Sequence, residues 1–495
     1  MADLSIEKFN SVYNKIHCDA GVAFELGAYF TFQLPGAKFM PSVRKRQWDG
    51  KVRLFNTGTH LIYAGLNPYI EQFAKEREYE VEYLTEFAAD EYSVEEAETF
   101  LSKLSLTHQA RDYQLDAYVY AIRHRRTLLV SPTASGKSFI IFLIVCYLLL
   151  KTKGRILIVV PTTSLVHQMC SDFDSYTTNK SLKALAHKIM YGYDLETDKR
   201  VIVSTWQSIY KQPKKWFEQF SGVIGDEAHL FKSKSLTGIL GKMPECDYRF
   251  GFTGTLDGTQ THKLILEGLF GASRKVISTA ELIEQKHVAD LDIKCIVLKY
   301  TDEEREAMKK AQYQDEMDWL VRHEGRNRFI KNLALSLKGN TLVLYQYVEK
   351  HGKILYDMIQ GTGRDVVIVH GDVDAESREE IRFDTEESDS KIIVASYGTF
   401  STGVNIKNLH NIIFASPSKS RIRNLQSIGR GLRKSDTKDK AVLYDVADDL
   451  TWKSHKNFTL LHFAERIKIY GEEQFDYKIY TVKLKGNNDN TTNAI

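Results

Sequence analysis

The 495-residue chain predicts an α/β protein, with two tandem doubly wound parallel sheets preceded by a small α+β N-terminal domain. Three observations carry that prediction. Short apolar, β-branched runs alternate with helical stretches, the alternation recurs as a second set, and the first ~95 residues follow neither. At roughly 100–200 residues per domain, the length agrees with about three domains.

Residues 1–95 are expected to form the accessory domain. Within them, Lys38–Phe55 (KFMPSVRKRQWDGKVRLF) sets Lys38, Arg44, Lys45, Arg46, Lys51 and Arg53 against Asp49 alone, with Phe39, Trp48 and Phe55 interleaved. Cations so close repel one another unless a polyanion lies beside them. Glu71–Glu98 then reverses the sign, with eleven acidic residues against Lys75 and Arg77. Such a run is expected to be a solvated helix face or linker on the hinge side of this domain.

From Leu106 the runs Thr127–Val130, Ile156–Val160, Val201–Ser204, Val223–Asp226 and Tyr248–Phe252 predict the strands of a first sheet, within residues 96–280. After Tyr300 the pattern returns in Thr341–Tyr345, Val366–Val369, Lys391–Ala395, Asn411–Ala415 and Ala441–Asp445, predicting a second sheet within residues 281–483. The Asn-rich end, residues 484–495, predicts a disordered tail.

Composition excludes more than it identifies. Lys plus Arg number 67 and Asp plus Glu 64, so the net charge of +3 names no partner. A hydrophobic fraction of 43% and a charged fraction of 26% exclude a disordered or collagenous chain. Cys18, Cys146, Cys170, Cys246 and Cys295 show no metal-ligand spacing and are expected to be idle thiols in a reducing compartment. Met1–Asn10 has no signal-peptide core, and the longest apolar run, Phe139–Leu150, is too short to span a bilayer and predicts a buried core helix.

After the first strand of the first sheet comes Ser131–Ser138 (SPTASGKS), which matches GxxxxGK[ST] except for Ser131 in place of the first glycine. The pattern assigns the amides of Thr133, Ala134, Ser135 and Gly136 to a phosphate cradle, and Lys137 to the β- and γ-phosphates. Ser138 becomes a Mg²⁺ ligand, all at a helix N-terminus that favours an anion. Downstream, Gly225–His229 (GDEAH) ends an apolar strand, which makes Asp226 the metal carboxylate and Glu227 the general base. The second set has no GK[ST]. It has Gln426–Arg433 (QSIGRGLR), where Arg430 and Arg433 share a helix face and are expected to supply charge to the γ-phosphate in the transition state. ATP gripped by two rigid domains and then hydrolysed makes a motor, provided a track lies across both.

In chain order, Arg111–Gln114 (RDYQ), SPTASGKS, Val160–Gln168 (VPTTSLVHQ), Ser204–Gln207 (STWQ), DEAH, Phe252–Thr255 (FTGT), Ser396–Ile406 (SYGTFSTGVNI) and QSIGRGLR resemble the signatures of superfamily 2 helicases. Lys38–Leu54 and Ser204–Phe220 (STWQSIYKQPKKWFEQF) narrow the resemblance to the recombination and branch-migration helicases of T-even-type bacteriophages. The resemblance implies two RecA-like motor domains. It implies that Gln114, with Arg111 nearby, reads the adenine edge, and that Gly403 lines the nucleotide cleft. His229 is implied to couple hydrolysis to Thr253 and Thr255, with Gln426 in the same coupling set. Thr162, Thr163 and Thr205 are implied to hold phosphates of the tracked strand; for each threonine alone, a helix cap fits equally well.

The activity implied is that of an ATP- and Mg²⁺-dependent DNA helicase or translocase. It would unwind or branch-migrate forks, Holliday junctions, D-loops and R-loops, in recombination, repair and replication. The same motifs serve RNA tracks, so an RNA helicase or a duplex translocase without strand separation is the alternative. Expected partners are branched double-stranded and single-stranded DNA, RNA–DNA hybrids, and recombination or single-strand-binding proteins, with no membrane. The chain is expected to act as a monomer inside the cell, in the host cytoplasm if phage-encoded. Arg44, Lys45, Arg46, Trp48, Lys51 and Arg53 are the expected nucleic-acid contacts of the accessory domain, with Trp48 either stacking on a base or packing beneath the domain. Lys211–Trp216 (KQPKKW) is expected to touch the same strand.

Overall fold

The computed structural model describes residues 2–86, 89–190, 194–231, 234–256, 259–403, 406, 408–416, 418, 420–432 and 438–484. It divides into two compact units: Met1–Ser131 with Gly136–Val276, and Ile277–Ile495 with Pro132–Ser135. The end of the chain predicted to be disordered lies, from residue 485, outside the described residues.

The first unit opens with β1 (Leu4–Lys8), β2 (Tyr13–Cys18), β3 (Thr31–Gln33), β4 (Lys51–Arg53), β5 (Phe55–Asn56), β6 (Leu61–Tyr63) and β7 (Val81–Tyr83). Five of these form a mixed sheet in the order β5-β6-β2-β1-β7, and β3 pairs with β4 in a separate ribbon. Helices Ala20–Tyr29 and Asn67–Glu76 bury Leu26, Ile70 and Phe73 in the same apolar cluster as Leu4, Ile6 and Ile16. The acidic stretch expected to be a solvated helix face or linker supplies both a solvated helix face, with Glu71 and Glu76 exposed, and an edge strand of this domain. Glu71–Glu76 completes the helix that buries Phe73, and Val81–Tyr83 is an edge strand running parallel to β1. Acidic side chains along an edge strand keep it soluble and also hide its period from sequence.

This small sheet packs directly onto the following one. Tyr69 donates to Glu267 Oε2 at 2.5 Å, and Ser11 Oγ and Lys8 Nζ both donate to Asp247. Gly65 approaches helix Gln260–Phe270 so closely that an added Cβ would lie 1.9 Å from the Glu267 carbonyl oxygen, so only glycine fits there.

The larger sheet of the first unit contains β8 (Arg126–Val130), β9 (Arg155–Val160), β10 (Ala186–Ile189), β11 (Val201–Thr205), β12 (Phe220–Gly225), β13 (Tyr248–Thr253) and β14 (Ser273–Lys275). All are parallel, in the order β10-β11-β9-β12-β13-β8-β14. Helix Lys137–Lys151 carries the long apolar run and buries Phe139 through Cys146 and Leu148, as its all-round hydrophobicity requires. Among the described residues, no helix is long and apolar enough to cross a membrane.

The second unit contains β15 (Asp290–Lys299), β16 (Thr341–Tyr345), β17 (Val366–Val369), β18 (Ile392–Ser396), β19 (Asn411–Phe414), β20 (Lys440–Asp449) and β21 (Tyr477–Lys483). Again all are parallel, in the order β17-β18-β16-β19-β20-β15-β21. Counted within each sheet, both orders read 3-4-2-5-6-1-7. The ten strands expected from apolar runs are all present. Four were missed: β10, β14 and β21 are edge strands, and β15 begins Asp-Leu-Asp-Ile-Lys before its apolar half. The second sheet therefore starts before Tyr300, not after it.

Candidate active site

Three neighbouring strands of the first large sheet, β12, β13 and β8, end side by side and hold the candidate residues. Their register is locked: Ser131 N–H donates to the Thr253 carbonyl at 2.8 Å, and Asp226 N–H to the Val159 carbonyl at 3.0 Å. Doubly wound sheets bind ligands at this carboxyl edge.

The loop after β8 turns through two left-handed residues, Ala134 at φ 69° and Gly136 at φ 80°. Gly136 has a second reason to be glycine, because a Cβ there would lie 2.4 Å from Gln114 Nε2. Ser135 Oγ donates to the Pro132 carbonyl at 2.7 Å, and Lys137 Nζ reaches back to the Ser131 carbonyl at 3.1 Å. Ser131 is fully buried and has no positive φ, so the missing glycine is not needed there. Helix Lys137–Lys151 has no side-chain cap and no acidic residue in its first turn, leaving its positive end to an anion.

Gln114 is buried on helix Asp112–His124, and its Oε1 accepts from Arg111 N–H at 3.0 Å. Arg111 donates to the Tyr113 hydroxyl at 2.9 Å. A further contact has no signal in the sequence pattern: Ser138 Oγ lies 2.6 Å from the hydroxyl of Tyr176, which sits at the far end of helix Thr163–Ser175.

At the end of β12, burial and the charge of Glu227 push the Asp226 carboxyl up to about 7 against the pull of Lys137. Asp226 Oδ1 accepts from the Glu227 N–H, and Glu227 itself is held at φ 49°. That is a strained conformation for a residue with a side chain. His229 Nδ1 lies 3.1 Å from Thr253 Oγ1 and 3.3 Å from Glu227 Oε2. Thr253 spends its hydroxyl proton on the Thr255 carbonyl at 2.9 Å, so toward His229 it accepts, and Nδ1 carries the hydrogen. The chain Glu227–His229–Thr253–Thr255 thus joins two strand ends.

Two of the three threonines have local partners. Thr162 caps helix Thr163–Ser175 through Leu165 N–H at 3.4 Å, Thr163 is exposed in its first turn, and buried Thr205 shares a hydrogen bond with Ser208 Oγ at 2.9 Å. In the second unit, Gly403 ends helix Tyr397–Gly403. Gln426 and Arg430 lie one turn apart on helix Arg421–Gly431, with the Arg430 guanidinium 5.8 Å from the Phe400 ring centroid. Arg433 lies outside the described residues.

In the N-terminal domain Arg44, Lys45, Arg46, Lys51 and Arg53 are exposed. Trp48 is half-buried and donates its indole N–H to the Lys51 carbonyl at 3.0 Å. Arg53 is already paired: its guanidinium grips Asp49 through both oxygens and, with the Lys51 amide, holds that carboxyl down at about 2. Lys211, Lys214 and Lys215 are exposed, whereas Trp216 packs on Phe217 and Phe220.

Residues 3–83 match the family model described as DNA helicase UvsW, N-terminal. Residues 92–258 match that of the type III restriction enzyme res subunit, and 325–435 match the helicase conserved C-terminal domain. The chain is 34% identical over 503 residues to the ATP-dependent DNA helicase UvsW of Enterobacteria phage T4, covering 97% of this chain and 100% of the relative. It is 24% identical over 375 residues to the DNA 3'-5' translocase XPB2 of Sulfurisphaera tokodaii, covering 68% of this chain and 81% of that one. The crystal structure of T4 UvsW superposes with a TM-score of 0.52 at 33% identity, covering 98% of this chain and 100% of that one. With the phosphate loop and DEAH box at the ends of β8 and β12, the two strands that flank β13, and similarity along its whole length, the chain belongs to the UvsW family of ATP-dependent DNA helicases.

Proposed function

We propose that this enzyme uses ATP hydrolysis to unwind or branch-migrate forks, Holliday junctions, D-loops and R-loops. The observation that carries the reading is the Glu227–His229–Thr253–Thr255 chain beside the phosphate loop, which ties the water-activating carboxylate to a neighbouring strand end. Such a linkage lets hydrolysis be felt beyond the nucleotide.

Lys137 and the loop amides hold the phosphates, Glu227 orients the attacking water, and Arg430, with Arg433, supplies transition-state charge. The donor chemistry supports Mg²⁺. Ser138 and Asp226 are hard oxygen ligands, and a buried carboxyl with a raised pKa is one that a divalent cation would ionise. Arg44, Lys45 and Arg46, exposed beside the 64%-exposed Phe39, grip the duplex or branch point outside the motor.

The test measures ATP turnover and strand displacement side by side on single strands, forks, four-way junctions, R-loops and an RNA duplex. Forks, junctions and R-loops are expected to be displaced fastest. Equal displacement of the RNA duplex would favour an RNA helicase, and turnover without displacement a duplex translocase. Replacing Arg44, Lys45 and Arg46 by alanine is expected to weaken junction binding and flatten its log–log salt dependence by about 2.7. An unchanged slope would remove the N-terminal grip.

A further inference from the structure

We propose that Tyr176 is a positioning residue for the metal-ligating serine of the phosphate loop. The inference rests on the reading of Ser138 as a Mg²⁺ ligand and adds the group that orients it.

The geometry is specific. Tyr176 Oη lies 2.6 Å from Ser138 Oγ, across 38 residues of chain. Its ring is packed by Phe139 at 5.0 Å and Phe142 at 5.7 Å, with the His108 ring edge-on at 5.5 Å. Its backbone is held as well: the N–H donates to the Asp172 carbonyl at 3.1 Å, and the carbonyl accepts from Thr107 N–H at 3.0 Å. Thr107 Oγ1 adds a bond to the Ser175 carbonyl at 2.9 Å. Ring and backbone are therefore constrained from several sides, and the hydroxyl is held against Ser138.

Hydroxyl chemistry gives that contact a consequence. A serine hydroxyl has one proton and two lone pairs. To ligate a cation it must offer a lone pair and turn its proton away, and the proton then needs an acceptor. Tyr176 Oη stands at hydrogen-bond distance to accept it, which orients Ser138 with its lone pairs available. In the opposite sense Tyr176 donates and occupies one of those lone pairs, so metal binding selects the first arrangement. Mg²⁺ tolerates little departure from octahedral geometry, and losing the partner that orients a ligand typically costs 10–100-fold in metal affinity. Thr107 and His108 precede Arg111 and Gln114, so the same tyrosine braces the segment that leads into the adenine-side helix.

The experiment follows fluorescent ADP binding to the full-length protein by anisotropy, in EDTA and across a Mg²⁺ titration. Tyr176→Phe keeps the ring packing and removes only the hydroxyl. It is expected to raise the Mg²⁺ midpoint about 10-fold while leaving binding in EDTA within about twofold of wild type. Ser138→Ala should raise the midpoint at least as far, and adding Tyr176→Phe to it should raise it no further. An unmoved midpoint in Tyr176→Phe, with a shift in Ser138→Ala, overturns the role of Tyr176 alone. Equal weakening with and without metal overturns it too, leaving a packing residue. No shift in Ser138→Ala overturns the ligand reading beneath it.

Discussion

The two seven-stranded sheets share one strand order, 3-4-2-5-6-1-7, yet end strands one and six differently. In the first sheet, β8 runs into the phosphate loop, and β13 ends at Thr253, which bonds the loop's first amide and His229. In the second, β15 runs into Tyr300 and a helix capped by Thr301. There β20 supplies Asp448, which is fully buried and accepts from Tyr300 and from Arg326 Nε at 2.7 Å and Nη2 at 3.0 Å. One scaffold thus presents the same strand ends twice. Where small residues and left-handed turns follow strand one, a tight loop leads straight into a helix N-terminus. Where an aromatic and an ion pair converge instead, the same corner becomes part of the core. The fold offers the position, and side chains decide whether it binds or packs.

The contrast can be broken at each end. Lys137→Ala should abolish DNA-stimulated ATP hydrolysis while shifting the thermal midpoint by less than about 2 °C; wild-type turnover would dissolve the assignment. Arg430→Ala, in the second unit, should lower kcat by about 10³-fold with nucleotide affinity retained, read from single-turnover hydrolysis against fluorescent-ADP binding.

At the packed corner the sign of the effect reverses. Arg326→Met leaves Asp448 buried and unpaired and should cost about 3–5 kcal/mol in urea unfolding. Adding Asp448→Leu should recover much of that, since an apolar pair strands no charge.

The smallest effect concerns Asp226, the carboxyl with the raised pKa. Between about pH 4 and 7 the unfolded chain ionises this group while the folded chain keeps it protonated. The unfolded state then binds fewer protons, so the stability of the nucleotide-free protein falls as pH rises through that window. Asp226→Asn should remove this slope and raise stability at pH 7.5 while losing turnover, as expected where function and stability conflict. Equal slopes in both proteins would argue against a strained carboxyl.

Local patterns were legible because they depend on neighbours in the chain. Continuous apolar runs marked central strands such as β9 and β16, which are buried on both faces. The loop SPTASGKS and the box GDEAH were readable because each works through a few consecutive backbone positions. The edge strands β10, β14 and β21 were not, since one side of an edge faces water and tolerates polar residues. Nor was Arg53 legible as a paired cation, because its grip on Asp49 depends on the turn leading into β4.

The sequence by itself determined the α/β class, the central strands, the phosphate loop and the DEAH box, because these are written in short periodic or contiguous segments. Only the tertiary structure decided that Tyr176 meets Ser138, that His229 meets Thr253, and that Asp448 is closed off by Arg326 and Tyr300. Those contacts join residues 24 to 148 positions apart. Their partners come together only when strands order and helices pack, a condition no local window of sequence contains.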